Sequence, residues 1–201
     1  GYEPIDEVMQ RGTKALSPAD FEAVVNQTGA VMLDVREAAD FARGFIPNSV
    51  NIGLNGQFAP WVGALILDLK QPIALITPVG LERETIVRLA RVGYDQCVGY
   101  LEGGFSSWQA TGREIDSIES ISAKTFADRL NQQSATLVID VRKSGEFDPE
   151  HVQGALNIPL DTLNEQLAQI PRNETVYVYC AGGYRSMIAN SILKTRGFDK
   201  V

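Results

Sequence analysis

Short apolar runs alternate with amphipathic stretches along this chain. Four of the runs are "AVMLDV" (30–35), "PIALIT" (72–77), "TLVIDV" (136–141) and "TVYVYC" (175–180). Each is short, rich in β-branched, aliphatic or aromatic residues, and bounded by polar or turn residues, the pattern of strands buried on both faces. The segments between them carry helical spacing. Ser17 and Ser122 each stand as an N-cap before an amphipathic stretch. Ser186 to Arg196 places Met187, Ile188, Ile192 and Leu193 at helical positions, and Gly197 supplies a stop. Strand and helix in alternation predict an α/β fold, with mostly parallel sheets flanked by helices. Sheets of this kind bind ligands at the carboxyl ends of their strands.

The pattern also repeats. "LDVREAADFARGFIPNSVNIGL" (33–54) aligns without gaps, at an offset of 106, on "IDVRKSGEFDPEHVQGALNIPL" (139–160). Asp34, Arg36, Asn51 and Leu54 fall on Asp140, Arg142, Asn157 and Leu160. Downstream, "RVGYDQCV" (91–98) matches "TRGFDKV" (195–201). Two tandem copies of one unit follow: residues 1–16 as an N-terminal linker, 17–113 as the first unit, 114–120 as a polar linker, 121–201 as the second. The first copy continues past Cys97 through "VGYLEGGFSSWQATG", a strand, a Gly-Gly turn and a helix holding Trp108. The second reaches Val201, the counterpart of Cys97, so its last strand and helix are expected to be missing.

Composition narrows the function. A length of 201 residues suits two units of about 100. The net charge of −7, without a basic run, argues against nucleic acid or an anionic membrane as partner. The longest apolar stretch, Trp61 to Leu69, is broken by Asp68 and is too short to span a bilayer. Two cysteines and one histidine cannot furnish a zinc cluster, so neither a metal site nor a cofactor is expected. Unpaired cysteines point to a reducing compartment, the cytoplasm.

One loop carries chemistry. "YCAGGYRS" (179–186) puts Cys180 at a strand–loop–helix junction, followed by Ala181, Gly182, Gly183, Tyr184, Arg185 and Ser186. The glycines let the backbone turn its N–H groups inward as an anion nest, and the next helix points its positive end into the same space. Arg185 is expected to add a planar donor set, its alternative being a pair with an acidic neighbour. A thiol in such a cradle is acidified: a fall from ~8.5 to ~6.5 corresponds to about 2.7 kcal/mol of preferential thiolate stabilisation. Four residues separate Cys180 from Arg185. That is one fewer than in cysteine phosphatases, and the smaller ring suits a thiolate-bound sulfur better than a phosphoryl group.

Together, "DVR" (140–142), "EHVQGALNIP" (150–159) and "CAGGYRS" (180–186), with "DVR" (34–36), "GFIPNSVNI" (44–52) and "YLEGGFSSW" (100–108) in the first copy, resemble the rhodanese family of sulfurtransferases. The resemblance implies that Cys180 takes sulfane sulfur from thiosulfate or a low-molecular-weight persulfide, becomes a persulfide, and passes the sulfur to a thiol or cyanide. It implies a catalytically dead first copy, since Thr77 stands where Cys180 does, Pro78 lacks an amide and Glu82 brings negative charge. The loop around Thr77 also reads one residue shorter. "GYEPIDEVMQRGTKALSPADF" resembles the segment preceding rhodanese repeats fused behind a metallo-β-lactamase-fold domain of the persulfide dioxygenase or glyoxalase type. That implies a fused or docked metal-dependent domain, and would account for a chain that starts without Met.

The remaining residues read more plainly. Asp140 and Arg142 recur as Asp34 and Arg36 in the copy without the loop cysteine, which favours an architectural ion pair. His151 falls on Phe45, and the resemblance implies a turn role for it rather than a Cys–His pair. Cys97 reads as a buried strand residue, and Trp61 and Trp108 as core or interface. Two rivals to sulfur transfer stand: a phosphatase or arsenate reductase, and a non-catalytic module that delivers sulfur or binds partners. A homo-oligomer is left open.

Overall fold

The computed structural model describes residues 4–132 and 137–201. The predicted start of the second copy's first strand, at Thr136, and the first three residues of the N-terminal segment lie outside the described residues.

The first copy contains α1 (Ile5–Gly12), β1 (Ala15–Leu16), α2 (Pro18–Thr28), β2 (Val31–Asp34), α3 (Ala38–Arg43) and β3 (Val50–Asn51). These are followed by α4 (Phe58–Leu65), β4 (Ile73–Ile76), α5 (Glu82–Ala90), β5 (Cys97–Leu101) and α6 (Gly104–Ala110). Its sheet runs β1-β5-β4-β2-β3, every pair parallel. All four residues of β4 are buried, as its unbroken apolar run requires. Ser17 caps α2 by accepting from the Asp20 amide. Between Ile73 and Ala74 the β4–β5 register shifts, and Gly99 absorbs the bulge at φ 140°. A methyl there would sit 2.8 Å from the Lys14 carbonyl oxygen, so only glycine fits.

The second copy contains α7 (Ala123–Gln132), β6 (Leu137–Asp140), α8 (Ser144–Phe147), β7 (Leu156–Asn157), 3-10 turns at Leu160–Glu165 and Leu167–Gln169, β8 (Val176–Tyr179) and α9 (Tyr184–Thr195). Among the described residues its sheet is β7-β6-β8, again parallel. The segment after α9 starts along β8 as its counterpart does in the first copy. Val176 donates to the Lys200 carbonyl at 2.9 Å, and Ile73 to that of Gln96 at 3.0 Å.

The described parts of both segments read as linkers pack on the first copy. In residues 1–16, α1 buries Val8 and Met9 in the core, and β1 extends the sheet beside β5. An amphipathic stretch with an apolar neighbour to cover folds onto it. In 114–120, Asp116 exchanges backbone hydrogen bonds with Phe45, and the Ile118 amide donates to the Ala42 carbonyl. Ile118 sinks into a cluster with Phe41, Phe45 and Met187. The polar composition hid that single anchoring isoleucine.

The two copies share an apolar core running from Leu33, Ile52 and Phe58 to Ile158, Leu163 and Ile188. Helix α9 packs on β3 of the first copy, and the Ser191 hydroxyl accepts from the Asn51 amide at 2.9 Å. The helix that follows the cysteine loop is thereby clamped to the other copy.

Candidate active site

Strand β8 ends at Tyr179, and Cys180 is the next residue, half-buried at the carboxyl edge of the sheet. Gly183 takes a left-handed conformation, φ 87°, which closes the loop and starts α9. Its amide donates to Cys180 Sγ at 3.2 Å, and that of Ser186 at 3.4 Å. The Ser186 Oγ lies 3.5 Å from the sulfur and 3.1 Å from the Gly183 carbonyl oxygen. With a neutral thiol the hydroxyl donates to that carbonyl; with a thiolate it turns to donate to the sulfur. Burial pushes the thiol up, but the Ser186 hydroxyl and the amides of Ser186, Gly182 and Gly183 outweigh it. The net direction is below the ordinary value.

A test of this balance follows. Ser186→Ala removes the strongest lowering contact and keeps the amides, so the midpoint of the iodoacetamide pH–rate profile is expected to rise. Alkylation at pH 7 slows about two- to five-fold. An unchanged profile would mean that the amides alone set the acidity.

Arg185 lines the space in front of Cys180 and also has the acidic partner that was its alternative. Its guanidinium forms a two-pronged pair with Glu146 of α8, at 2.7 and 2.9 Å. The pair holds the Glu146 carboxyl down at about 2. A fork-shaped donor within reach of a carboxylate takes the bidentate geometry. Sequence reasoning missed Glu146, although its place one turn after Asp140-Val141-Arg142 was a usable signal.

The sulfur opens into a cleft of about 550 Å³ shared by both copies. Lys143, Glu146, Tyr184 and Arg185 line it from the second copy; Asn55, Gln57 and Trp61 line it from the first. Trp61, read as core or interface, is both. Ala181 stands exposed in the loop.

The supporting residues form a frame around the loop. Asp140 is fully buried; it accepts from the Arg142 amide at 2.9 Å and from the guanidinium at 2.6 Å. Arg142 also donates to the Glu150 carbonyl. The first copy repeats each contact: Arg36 to Asp34 at 2.6 Å, Arg36 to Gly44, and Asn51 bridging two carbonyls just as Asn157 does. His151 is exposed, stacks on Phe147 at 3.7 Å and bonds the Phe147 carbonyl through Nδ1. Phe45 stacks on Phe41 in the same way. Among the described residues, no hydrogen bond or ring contact joins His151 to Cys180; its bond to Phe147 lies in the turn before β7.

In the first copy a cleft of about 390 Å³ occupies the equivalent place, lined by Arg36, Arg43, Thr77, Pro78, Gly103 and Phe105. Thr77 is buried, and the Gly80 amide donates to the Glu82 carboxylate, so a resident anion takes the loop's donor. The loop is not the shorter one. Helix α5 begins at Glu82, five residues after Thr77, whereas α9 begins four after Cys180. The residue missing from the first copy comes out of the helix.

A half-buried thiol thus stands at the carboxyl edge of a parallel α/β sheet, with the Gly183 and Ser186 amides directed at its sulfur. The family description "Rhodanese-like domain" matches residues 17–111 and 122–201. The chain belongs to the rhodanese-like family, twice over. It is 46% identical over 65 residues to the thiosulfate sulfurtransferase PspE of Escherichia coli, covering 31% of this chain and 62% of PspE. It is 38% identical over 71 residues to the tRNA uridine(34) hydroxylase of E. coli, covering 32% of this chain and 20% of that protein. The chain thus spans less than two thirds of these relatives. The solved structure of the 3-mercaptopyruvate sulfotransferase SseA from E. coli aligns over 94% of this chain and 95% of its own, at 15% identity and a TM-score of 0.43. Among the described residues, no helix is long and apolar enough to cross a membrane.

Proposed function

We propose that this protein is a rhodanese-type sulfurtransferase with its active site at Cys180, the first copy acting as scaffold. One observation carries the reading: an acidified sulfur held by the Gly183 and Ser186 amides and open to a cleft. The Cys180 thiolate attacks the sulfane sulfur of thiosulfate or of a persulfide R–S–S⁻. A bond forms between Sγ and that sulfur, and the donor's S–S bond breaks. The electron pair leaves with sulfite or with the thiolate RS⁻. The loop amides then hold the terminal S⁻ of the cysteine persulfide, which has the charge they are arranged to receive. An acceptor thiolate or cyanide attacks that terminal sulfur and returns Cys180 as thiolate. The cleft is far larger than thiosulfate needs, so a persulfide on a small organic thiol fits the same site.

The opening segment's resemblance supports a fused or docked metal-dependent domain as a further part of this proposal, with α1 and β1 themselves packed on the first copy. Intact mass after exposure to thiosulfate, and separately to glutathione persulfide, tests the main reading. A gain of about 32 Da, one sulfur atom on the thiolate, is expected in the wild type and not in Cys180→Ser. A folded protein with a free thiol and no adduct from either donor would overturn it.

A further inference from the structure

The cysteine loop is tied to the first copy at a point beside the sulfur. Tyr184 opens α9, in the chain between the two residues, Gly183 and Ser186, whose amides hold Cys180. Its hydroxyl crosses to the first copy and donates to the Gly53 carbonyl at 2.7 Å. Its ring lies on Gly53 and Gly56; a methyl on Gly56 would fall 2.3 and 2.5 Å from two of its carbons. The anchor is stiff. On either side of Gly53, Ile52 donates to the Asp34 carbonyl and Leu54 to that of Val35, while Arg88 bonds the Leu54 carbonyl. Burial pushes the Tyr184 phenol up to about 12, so it stays a donor across the working range.

We propose that Tyr184 is a positioning residue: by fixing the first turn of α9 against Gly53 and Gly56, the first copy sets the acidity of the second copy's cysteine. Hydrogen bonds to sulfur weaken steeply as distance and angle slip, and both amides move with this turn. The hydrogen bond of Ser191 with Asn51 and the ion pair of Lys194 with Asp116 lie about two or more turns along the helix. In the first turn itself, Met187 packs with Phe41 and Phe45 and Arg185 pairs with Glu146, and the Tyr184 hydroxyl adds a directional bond to the first copy between the two amide-bearing residues. The copy without a loop cysteine thereby shares in the chemistry. The inference rests on Cys180 being the nucleophile of the proposed reaction.

The test is the iodoacetamide pH–rate profile of the full chain. Cys97 is buried, with its thiol pushed up to about 11, so the profile reports Cys180. Gly56→Ala displaces the ring and is expected to raise the midpoint, slowing alkylation at pH 7 about three- to ten-fold. Tyr184→Phe keeps the ring and loses the bond to Gly53; about a two-fold slowing is expected. Gly63→Ala, on α4 with open space around its Cβ, serves as control and leaves the profile unchanged. Wild-type midpoints in both Gly56→Ala and Tyr184→Phe would overturn the proposal, as would an equal rise in Gly63→Ala. Should Gly56→Ala fail to fold, Tyr184→Phe decides alone. The mass assay fails separately: absence of a sulfur adduct on Cys180 removes the transfer reading without altering any of these midpoints.

Discussion

Cys180→Ser is expected to lower thiosulfate:cyanide sulfurtransferase turnover by at least about a thousand-fold, while Thr77→Cys neither adds a second site nor restores that loss. Serine keeps the shape and can accept the same amides, so the first variant loses the nucleophile and little else. The second shows what the loop contributes. A thiol at position 77 would be nearly as buried as Thr77, which is 1% exposed. Pro78 offers no amide, and the Gly80 amide is already given to Glu82. Burial pushes a thiol up, as at Cys97 in the same fold, where it outweighs the Gly99 backbone contact and the Arg11 charge. The double variant Cys180→Ser/Thr77→Cys is therefore expected to match Cys180→Ser in turnover and in its lack of a sulfur adduct. Turnover regained by the double variant would show that the cradle matters less than the presence of a thiol.

The outline of the site was legible because it is written locally. The run from Val176 to Tyr179, the glycines after Cys180 and the helical spacing beyond Ser186 fix strand, turn and helix within twenty residues, and the structure returns all three. The repeat exposed the frame as well, since Asp34–Arg36 and Asp140–Arg142 recur with their asparagine bridges. What stayed hidden depends on tertiary distance. Glu146 meets Arg185 across 39 positions, and Tyr184 meets Gly53 across 131. Neither pairing leaves a periodicity in a single sequence. The N-terminal helix was overlooked because its apolar face is short, and only the neighbouring core shows that Val8 and Met9 have something to cover.

Arg36→Met is expected to destabilise the chain by about 3–5 kcal/mol at neutral pH, the largest effect of any single change in the frame, measured by urea unfolding. Asp34 is fully buried and Arg36 nearly so, with the guanidinium giving its Nε and Nη2 protons to the carboxylate and lying 4.3 Å from the centre of the Phe105 ring. Methionine fills the volume but strands a buried carboxylate. Arg142→Met is expected to cost less, because Arg142 is more exposed and the Tyr179 hydroxyl also serves Asp140. The two carboxyls already differ in direction. Burial pushes Asp34 up despite Arg36, whereas at Asp140 the Arg142 and Tyr179 contacts outweigh burial and bring it down. The signs in pH follow. Asp140 adds stability above the ordinary carboxyl value, and this is lost as pH falls through its lowered folded value. Asp34, raised, acts oppositely: its contribution is greatest below the ordinary value and is lost as pH rises through the folded one. Removing Arg36 lifts Asp34 further, so the deficit of Arg36→Met against wild type should shrink as pH is lowered and protonation of the stranded carboxyl is favoured. The double variant Asp34→Asn/Arg36→Met should recover part of the loss at pH 7 and lose that pH dependence. A deficit that stays constant as pH is lowered would mean that the loss comes from Arg36 packing on Phe105, and that Asp34 finds another partner.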